Sequence, residues 1–329
     1  MDMKIATIGT GFIVERFLDA VGQVEGVECY GVYSRTGEKA RQLADEFGIG
    51  MTFTDMDKMM DDTNYDTVYV ASPNSLHYDY VKRALENGKH VICEKPFTST
   101  LRELEELIAL SKKRGLFLFE AITTIHLPHF KKVRENLGKI GELKVAQSNY
   151  SQYSSRYDKL KAGETPNVFN LEFSGGALSD INIYNLHFMI GLFGGPKEIT
   201  YVPNRHANGV DTSGVSVLDF DGFFATCVGS KDTASENFVL LQGDEGYIHV
   251  RGAANTIDYI EVHSGDEIET IDLGQNPNNM VAELEAFVKI FEAGDGNAAL
   301  KLLDHSATVM KFLEAARKSA GILYPADEK

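Results

Sequence analysis

"KIATIGTGFIV", Lys4 to Val14, is the stretch on which the fold turns. It begins as a short apolar run of the kind that forms a buried strand, then reaches Gly9-Thr10-Gly11 before a helix-like segment. Two glycines there let the backbone turn tightly and approach a pyrophosphate, whose charge the N-terminus of the next helix favours. The full dinucleotide fingerprint has a third glycine where Val14 stands, and valine implies a helix set slightly farther from the strand. Alone, the match also fits a plain strand-to-helix turn. The rhythm that follows favours the dinucleotide. "VECYGVYS" from Val27, "TVYVAS" from Thr67, "HVICE" from His90 and "LFLFE" from Leu116 continue the apolar runs, with helical spacing over 38–47, 76–87 and 101–114. That alternation is the βαβ pattern of a doubly wound parallel sheet, so residues 1–121 are expected to form a Rossmann domain.

A chain of 329 residues exceeds what one hydrophobic core usually serves, which implies a second domain. Beyond Glu120 the pattern changes. Pro128 can open a helix, and "ELKVAQSNY" (142–150) reads as a strand. "GALSDINIYNLHFMIGLFGG" reads as one long helix ending in paired glycines. The alternating runs "GVSVLDF", "FFATCVGS", "NFVLLQG", "GYIHV" and "DYIEVHS" then predict an open, largely antiparallel sheet. Helical stretches over 280–293 and about 298–319 close the chain. Residues 122–329 are thus expected to bind substrate and to oligomerise, with the closing helices free to pack back on the first domain. Too few helices follow Ile199 to cover both faces of the sheet, which points to a homodimer or higher homo-oligomer.

The net charge of −16 argues against general nucleic-acid or anionic-membrane binding, because either needs a basic face. No apolar run reaches the ~18 residues of a membrane span, and Met1 leads into a strand without a signal-peptide pattern. Cys29, Cys93 and Cys227 are odd in number and far apart, read as buried thiols in a reducing compartment. The cytoplasm is the expected location.

The chemistry sits at strand ends. The second strand ends in Ser34 and Arg35, where an NAD enzyme has an acidic residue for the ribose 2′-hydroxyl. A hydroxyl and a guanidinium suit a 2′-phosphate instead, so NADP is expected, with NAD possible. The competing reading of Arg35 is a solvated loop charge. After the "TVYVAS" run, Pro73 sets a turn, Asn74 offers donor and acceptor, and Ser75 is a fair helix cap. "HVICEKPF" (90–97) places Lys95 just past a buried strand, where an ammonium needs a partner or a task. The dinucleotide site drawn from these loops comprises Gly9, Gly11, Phe12, Ile13, Ser34, Arg35, Lys39, Ser72, Pro73, Asn74, His77, Glu94 and Lys95. Farther on, Asp180, Tyr184 and His187 recur at i, i+4 and i+7, one face of a helix. Packing is the alternative for Tyr184 and His187. "HLPH" (126–129) is interrupted by Pro128 and joined by no cysteine or carboxylate cluster, so no metal is expected.

"GTGFI", "SR", "SPNSLH", "EKP", Glu120-Ala121 and "GGALSDINIYNLH" (175–187), with the ending "SAGILYP", occur in the order found in the glucose-fructose oxidoreductase, inositol dehydrogenase and MocA (Gfo/Idh/MocA) family, which the chain resembles over nearly its whole length. The resemblance implies an N-terminal Rossmann domain, a C-terminal α/β domain, and NAD(P)-dependent hydride transfer to or from a sugar, polyol, dihydrodiol or related alcohol. Lys95 matches the family lysine at the nicotinamide and substrate hydroxyl. Many members have histidine where this chain has Tyr184; tyrosine there is similar to the dihydrodiol dehydrogenase and NADP-dependent xylose dehydrogenase branch, where lysine and tyrosine serve together. Asn182 replaces the glycine usual two residues after the aspartate. A free tyrosine titrates near ~10, and an adjacent ammonium favours its phenolate. In that scheme Tyr184 exchanges the proton, Lys95 orients the oxygen, Asp180 positions substrate or lysine, and His187 stands behind them. A non-catalytic dinucleotide-binding regulator of the same fold is the competing class.

Overall fold

The computed structural model describes residues 2–328. By its contacts the chain divides into two compact units, one running to Ile122 and including Asn276–Ala307, the other Thr123–Gln275 with the chain from Thr308 onward.

The first unit holds β1 (Met3–Ile8), α1 (Phe12–Val21), β2 (Val27–Tyr33), α2 (Gly37–Phe47), β3 (Met51–Phe53), α3 (Met56–Asp61), β4 (Thr67–Val70), α4 (His77–Glu86), β5 (His90–Glu94), α5 (Leu101–Arg114) and β6 (Leu118–Ala121). All six strands pair in parallel, in the order β3-β2-β1-β4-β5-β6. The order reverses between β1 and β4, and the crevice beyond the carboxyl ends of such a pair is where open α/β sheets bind ligands. Helices hold their places by ordinary chemistry. In α5, Thr100 accepts from the Glu103 backbone while Glu103 reaches back to Thr100 N, a capping box. Phe17 of α1 stacks on Tyr69 of β4 at 3.6 Å. The helix Met280–Ala293 belongs to this unit and sets Phe287 against Phe119 of β6 at 4.6 Å.

The second unit holds α6 (Pro128–Asn136), β7 (Leu143–Ser151), α7 (Tyr157–Lys161), α8 (Ile183–Phe193), β8 (Glu198–Arg205), β9 (Asp211–Asp219), β10 (Phe224–Ser230), β11 (Phe238–Gly243), β12 (Gly246–Ala253), β13 (Thr256–Ser264) and β14 (Glu267–Ile271). Its sheet runs β14-β13-β12-β11-β7-β10-β9-β8, antiparallel except for the central pair β7 and β10. One face carries Ala146, Leu218, Cys227, Leu241, Ile248 and Ile260, all buried. The registers put Val202, Val217, Phe224, Tyr247 and Ile268 on the other face, and all five are exposed.

Four details depart from the sequence reading. The three-residue β3 and the polar β14 carry too little alternation to be seen, and both form because a neighbouring strand offers an edge. The segment expected as one helix opens with a π turn, Leu178–Asn182, before α8. The stretch ahead of α4 is a 3-10 turn, Asn74–Leu76, capped at Pro73 rather than at Ser75. Cys29 is half-buried, unlike Cys93 and Cys227.

Candidate active site

The first unit supplies a dinucleotide cradle. Gly9 has φ 124°, and a Cβ there would lie 2.6 Å from the Ala71 carbonyl oxygen, so only glycine lets β1 turn beside the end of β4. At Gly11 the opposite holds: a Cβ would meet nothing within 4 Å, leaving the backbone at the head of α1 open to a phosphate. Phe12 is exposed, Ile13 is partly covered, and Val14 is fully buried beneath them. At the end of β2, Ser34 N donates to Phe53 O of β3 at 3.1 Å, and Ser34 Oγ accepts from Thr36 N at 3.2 Å. Arg35 and Lys39 beside it are exposed and make no ion pair among the described residues. Two open cations and a hydroxyl fit an NADP 2′-phosphate.

The loops after β4 and β5 are tied by His77, which is fully buried, with Nδ1 2.9 Å from Pro96 O and Nε2 2.9 Å from Ser72 O. Burial lowers its pKa, and a neutral ring donates only one of those two bonds. Its nitrogens are committed to backbone, so His77 shapes the cradle by holding Ser72 and Pro96. The Lys95-Pro96 peptide is cis. Within 91–100 every residue is buried except Lys95. Glu94 behind it accepts from Tyr69 OH at 2.7 Å, and burial pushes its carboxyl up to about 6. Glu120 Oε1 accepts from Phe97 N at 3.2 Å, fixing the far side of the same loop.

The second unit repeats that pattern of selective exposure. Within 174–190 every residue is buried except Asp180 and Tyr184. Asp180 lies in the π turn, and Tyr184 follows in the first turn of α8. Asp211 clamps the start of this segment: its Oδ2 accepts from Leu178 N at 2.7 Å and from Tyr201 OH at 2.8 Å. Gly176 passes so close that a Cβ would fall 2.0 Å from Asp211 Oδ1. Asn182 packs on β10, donating to Cys227 O at 2.9 Å and accepting from Asn185 at 2.9 Å. Its side chain needs Gly229, where a Cβ would sit 2.5 Å from Asn182 Cβ. The asparagine that replaces a glycine on the helix is thus matched by a glycine on the strand. His187 is fully buried, and it adds to the burial that depresses the neighbouring His126 to about 4. Tyr150 at the end of β7 brings its ring to 5.8 Å from that of Tyr184.

Lys231, just past β10, makes an ion pair with Asp180, and sequence reasoning missed it. The signal was present: "FFATCVGSK" is a strand followed by a lysine, the arrangement that singled out Lys95. Among the described residues no three His, Cys, Asp or Glu side chains gather as metal ligands.

Residues 3–122 match the family described as "Oxidoreductase family, NAD-binding Rossmann fold", and 130–249 match the GFO/IDH/MocA C-terminal domain. The chain is 36% identical over 327 residues, 99% of each protein, to scyllo-inositol 2-dehydrogenase (NADP(+)) of Bacillus subtilis. It is 27% identical to D-xylose 1-dehydrogenase (NADP(+)) of Hypocrea jecorina, over 89% of this chain and 82% of that protein. A 3-ketoreductase from Actinomadura kijaniata, solved with NADP and TDP-benzene, shares the fold at TM-score 0.85 and 23% identity, covering 97% of this chain and 98% of that one. With both matched domains and a full-length relative at this identity, the chain belongs to the Gfo/Idh/MocA family of NAD(P)-dependent oxidoreductases.

Proposed function

We propose that the protein interconverts a hydroxyl and a carbonyl on a neutral sugar or polyol, with a cyclitol such as scyllo-inositol the first candidate. The observation that carries this reading is selective exposure. Lys95, Asp180 and Tyr184 are the only residues left open in two otherwise buried stretches. Burying their neighbours while leaving an ammonium, a carboxylate and a phenol accessible is what proton-transfer chemistry requires. The cofactor supplies or takes the hydride. Gly9, Gly11, Ser34, Arg35 and Lys39 hold NADP, Lys95 orients the reacting oxygen, Tyr184 exchanges its proton, and Asp180 accepts from substrate hydroxyls. His187, fully enclosed, supports Tyr184's helix from below. The exposed face of the second unit's sheet is proposed to pair two copies, and the buried thiols of Cys93 and Cys227 suit residence in the cytoplasm.

The test follows absorbance of the reduced nicotinamide with NADP and a panel of cyclitols, pentoses and hexoses. Turnover is expected on at least one polyol or sugar. Tyr184→Phe is expected to keep its fold and NADP affinity and to lose roughly 10²-fold or more in turnover. Near-normal turnover in that variant removes Tyr184 from the chemistry.

A further inference from the structure

Lys231 stands on an anchored backbone. Its N–H donates to Thr212 O at 2.9 Å, and its carbonyl accepts from Ser154 N at 2.9 Å. The next residue, Asp232, accepts from Thr212 Oγ1 at 2.7 Å, Ser213 Oγ at 3.1 Å and Ser230 Oγ at 2.8 Å, so the turn carrying Lys231 is braced from β9 and β10 together. From this turn the ammonium reaches the Asp180 carboxylate. The lysine side chain is 10% exposed and that of the aspartate 28%. The pair is therefore lopsided, with the cation behind and the anion in front. Because β7 and β10 are parallel neighbours, Lys231 emerges at the same sheet end as Tyr150 and the chain that follows it. Gln152 N donates to Ser230 O at 2.9 Å, stitching the two strand ends together.

An exposed surface pair of this kind would carry little meaning. A buried ammonium with its charge matched from one side is different, since removing either partner strands the other in a poorly solvated place. It also fixes the carboxylate. A lone carboxylate at the head of a helix rotates freely and attracts any cation, whereas one paired with Lys231 is held in place and adds no net charge.

We propose that Lys231 is a positioning residue for the reaction, holding the Asp180 carboxylate oriented and charge-matched toward the hydroxyls of a neutral polyhydroxylated substrate. This rests on the reading above that Asp180 meets the substrate. Lys231 acts through Asp180 and leaves NADP untouched. It also disfavours amino sugars, which an unpaired carboxylate would attract.

The test is a double-mutant cycle of Lys231→Met and Asp180→Asn, assayed with NADP and scyllo-inositol, or the best substrate of the panel. Lys231→Met is expected to raise the polyol KM about 10-fold or more while the KM for NADP stays within about 2-fold, and Lys231→Arg to recover most of the loss. In the Asp180→Asn background the Lys231 change should add almost nothing. If Lys231→Met does not fold, Lys231→Gln, which keeps amide donors without charge, takes its place. A normal polyol KM in Lys231→Met beside a raised one in Asp180→Asn overturns the role of Lys231 and leaves that of Asp180 standing. A loss that persists undiminished in the Asp180→Asn background also overturns it, because Lys231 then acts by another route. A normal KM in Asp180→Asn overturns the reading of Asp180 itself, and the positioning role falls with it.

Discussion

Glu283 shows what a single buried carboxyl does to a stability profile. It is 2% exposed, and its Oε2 has no hydrogen-bond partner. Burial, and then the neighbouring Glu94, raise its pKa well above the ordinary value of 4.5. The folded state therefore holds this proton more tightly than the unfolded chain. Its contribution to stability is complete below about 4.5 and is lost as pH rises toward the folded value. Glu283→Gln, with no proton to lose, should match the wild type near pH ~4 and exceed it at pH ~8 by on the order of 1–3 kcal/mol. Denaturant melts at the two pH values measure the gap. A gap that does not grow with pH would mean that Glu283 titrates normally.

At the scale of elements, the turn after β2 shows what was legible and what was not. Ser34 and Arg35 are readable because their distance from the glycines is set by one βα unit. The strand that holds Ser34 in place, β3, was not, because three residues give no periodicity and Phe53 contributes through its backbone carbonyl. Ser34→Asp sets a carboxylate where the 2′-phosphate is expected, and should lower the NADP to NAD ratio of kcat/KM by roughly 10²-fold. An unchanged ratio would place the phosphate elsewhere. The same contrast runs through α8. The Asp180–Tyr184 spacing is visible as sequence, but the π turn that presents Asp180 depends on Asp211, thirty-odd residues away, and on Gly229 yielding space to Asn182. Lys231 follows a strand as Lys95 does, but its partner Asp180 lies 51 residues away in the chain, a meeting that spacing alone does not show.

For the whole molecule, the second unit's sheet has one face packed and one bare. Val202 is 60% exposed, Ile268 64% and Phe224 47%, apolar side chains on the face that an alternating antiparallel strand usually gives to polar residues. A second copy of the chain is the proposed cover, so light scattering should give twice the 36.4 kDa chain mass. Val217→Asp with Phe224→Glu should give a monomer with an unchanged circular dichroism spectrum. A wild type that scatters as 36.4 kDa at micromolar and higher concentration excludes this assembly. The division of the chain has a different consequence, for synthesis. Both sheets are complete by Gln275, yet the first unit still lacks the helix that brings Phe287 to Phe119, and the second lacks Tyr324, whose hydroxyl meets Ser179 at 2.7 Å and Gly175 O at 3.0 Å. A ribosome that halts there has made every strand and closed neither core. The segment after Gln275 is thus needed by both units, and a chain released before it shows the cell's proteases apolar surface from each of them at once.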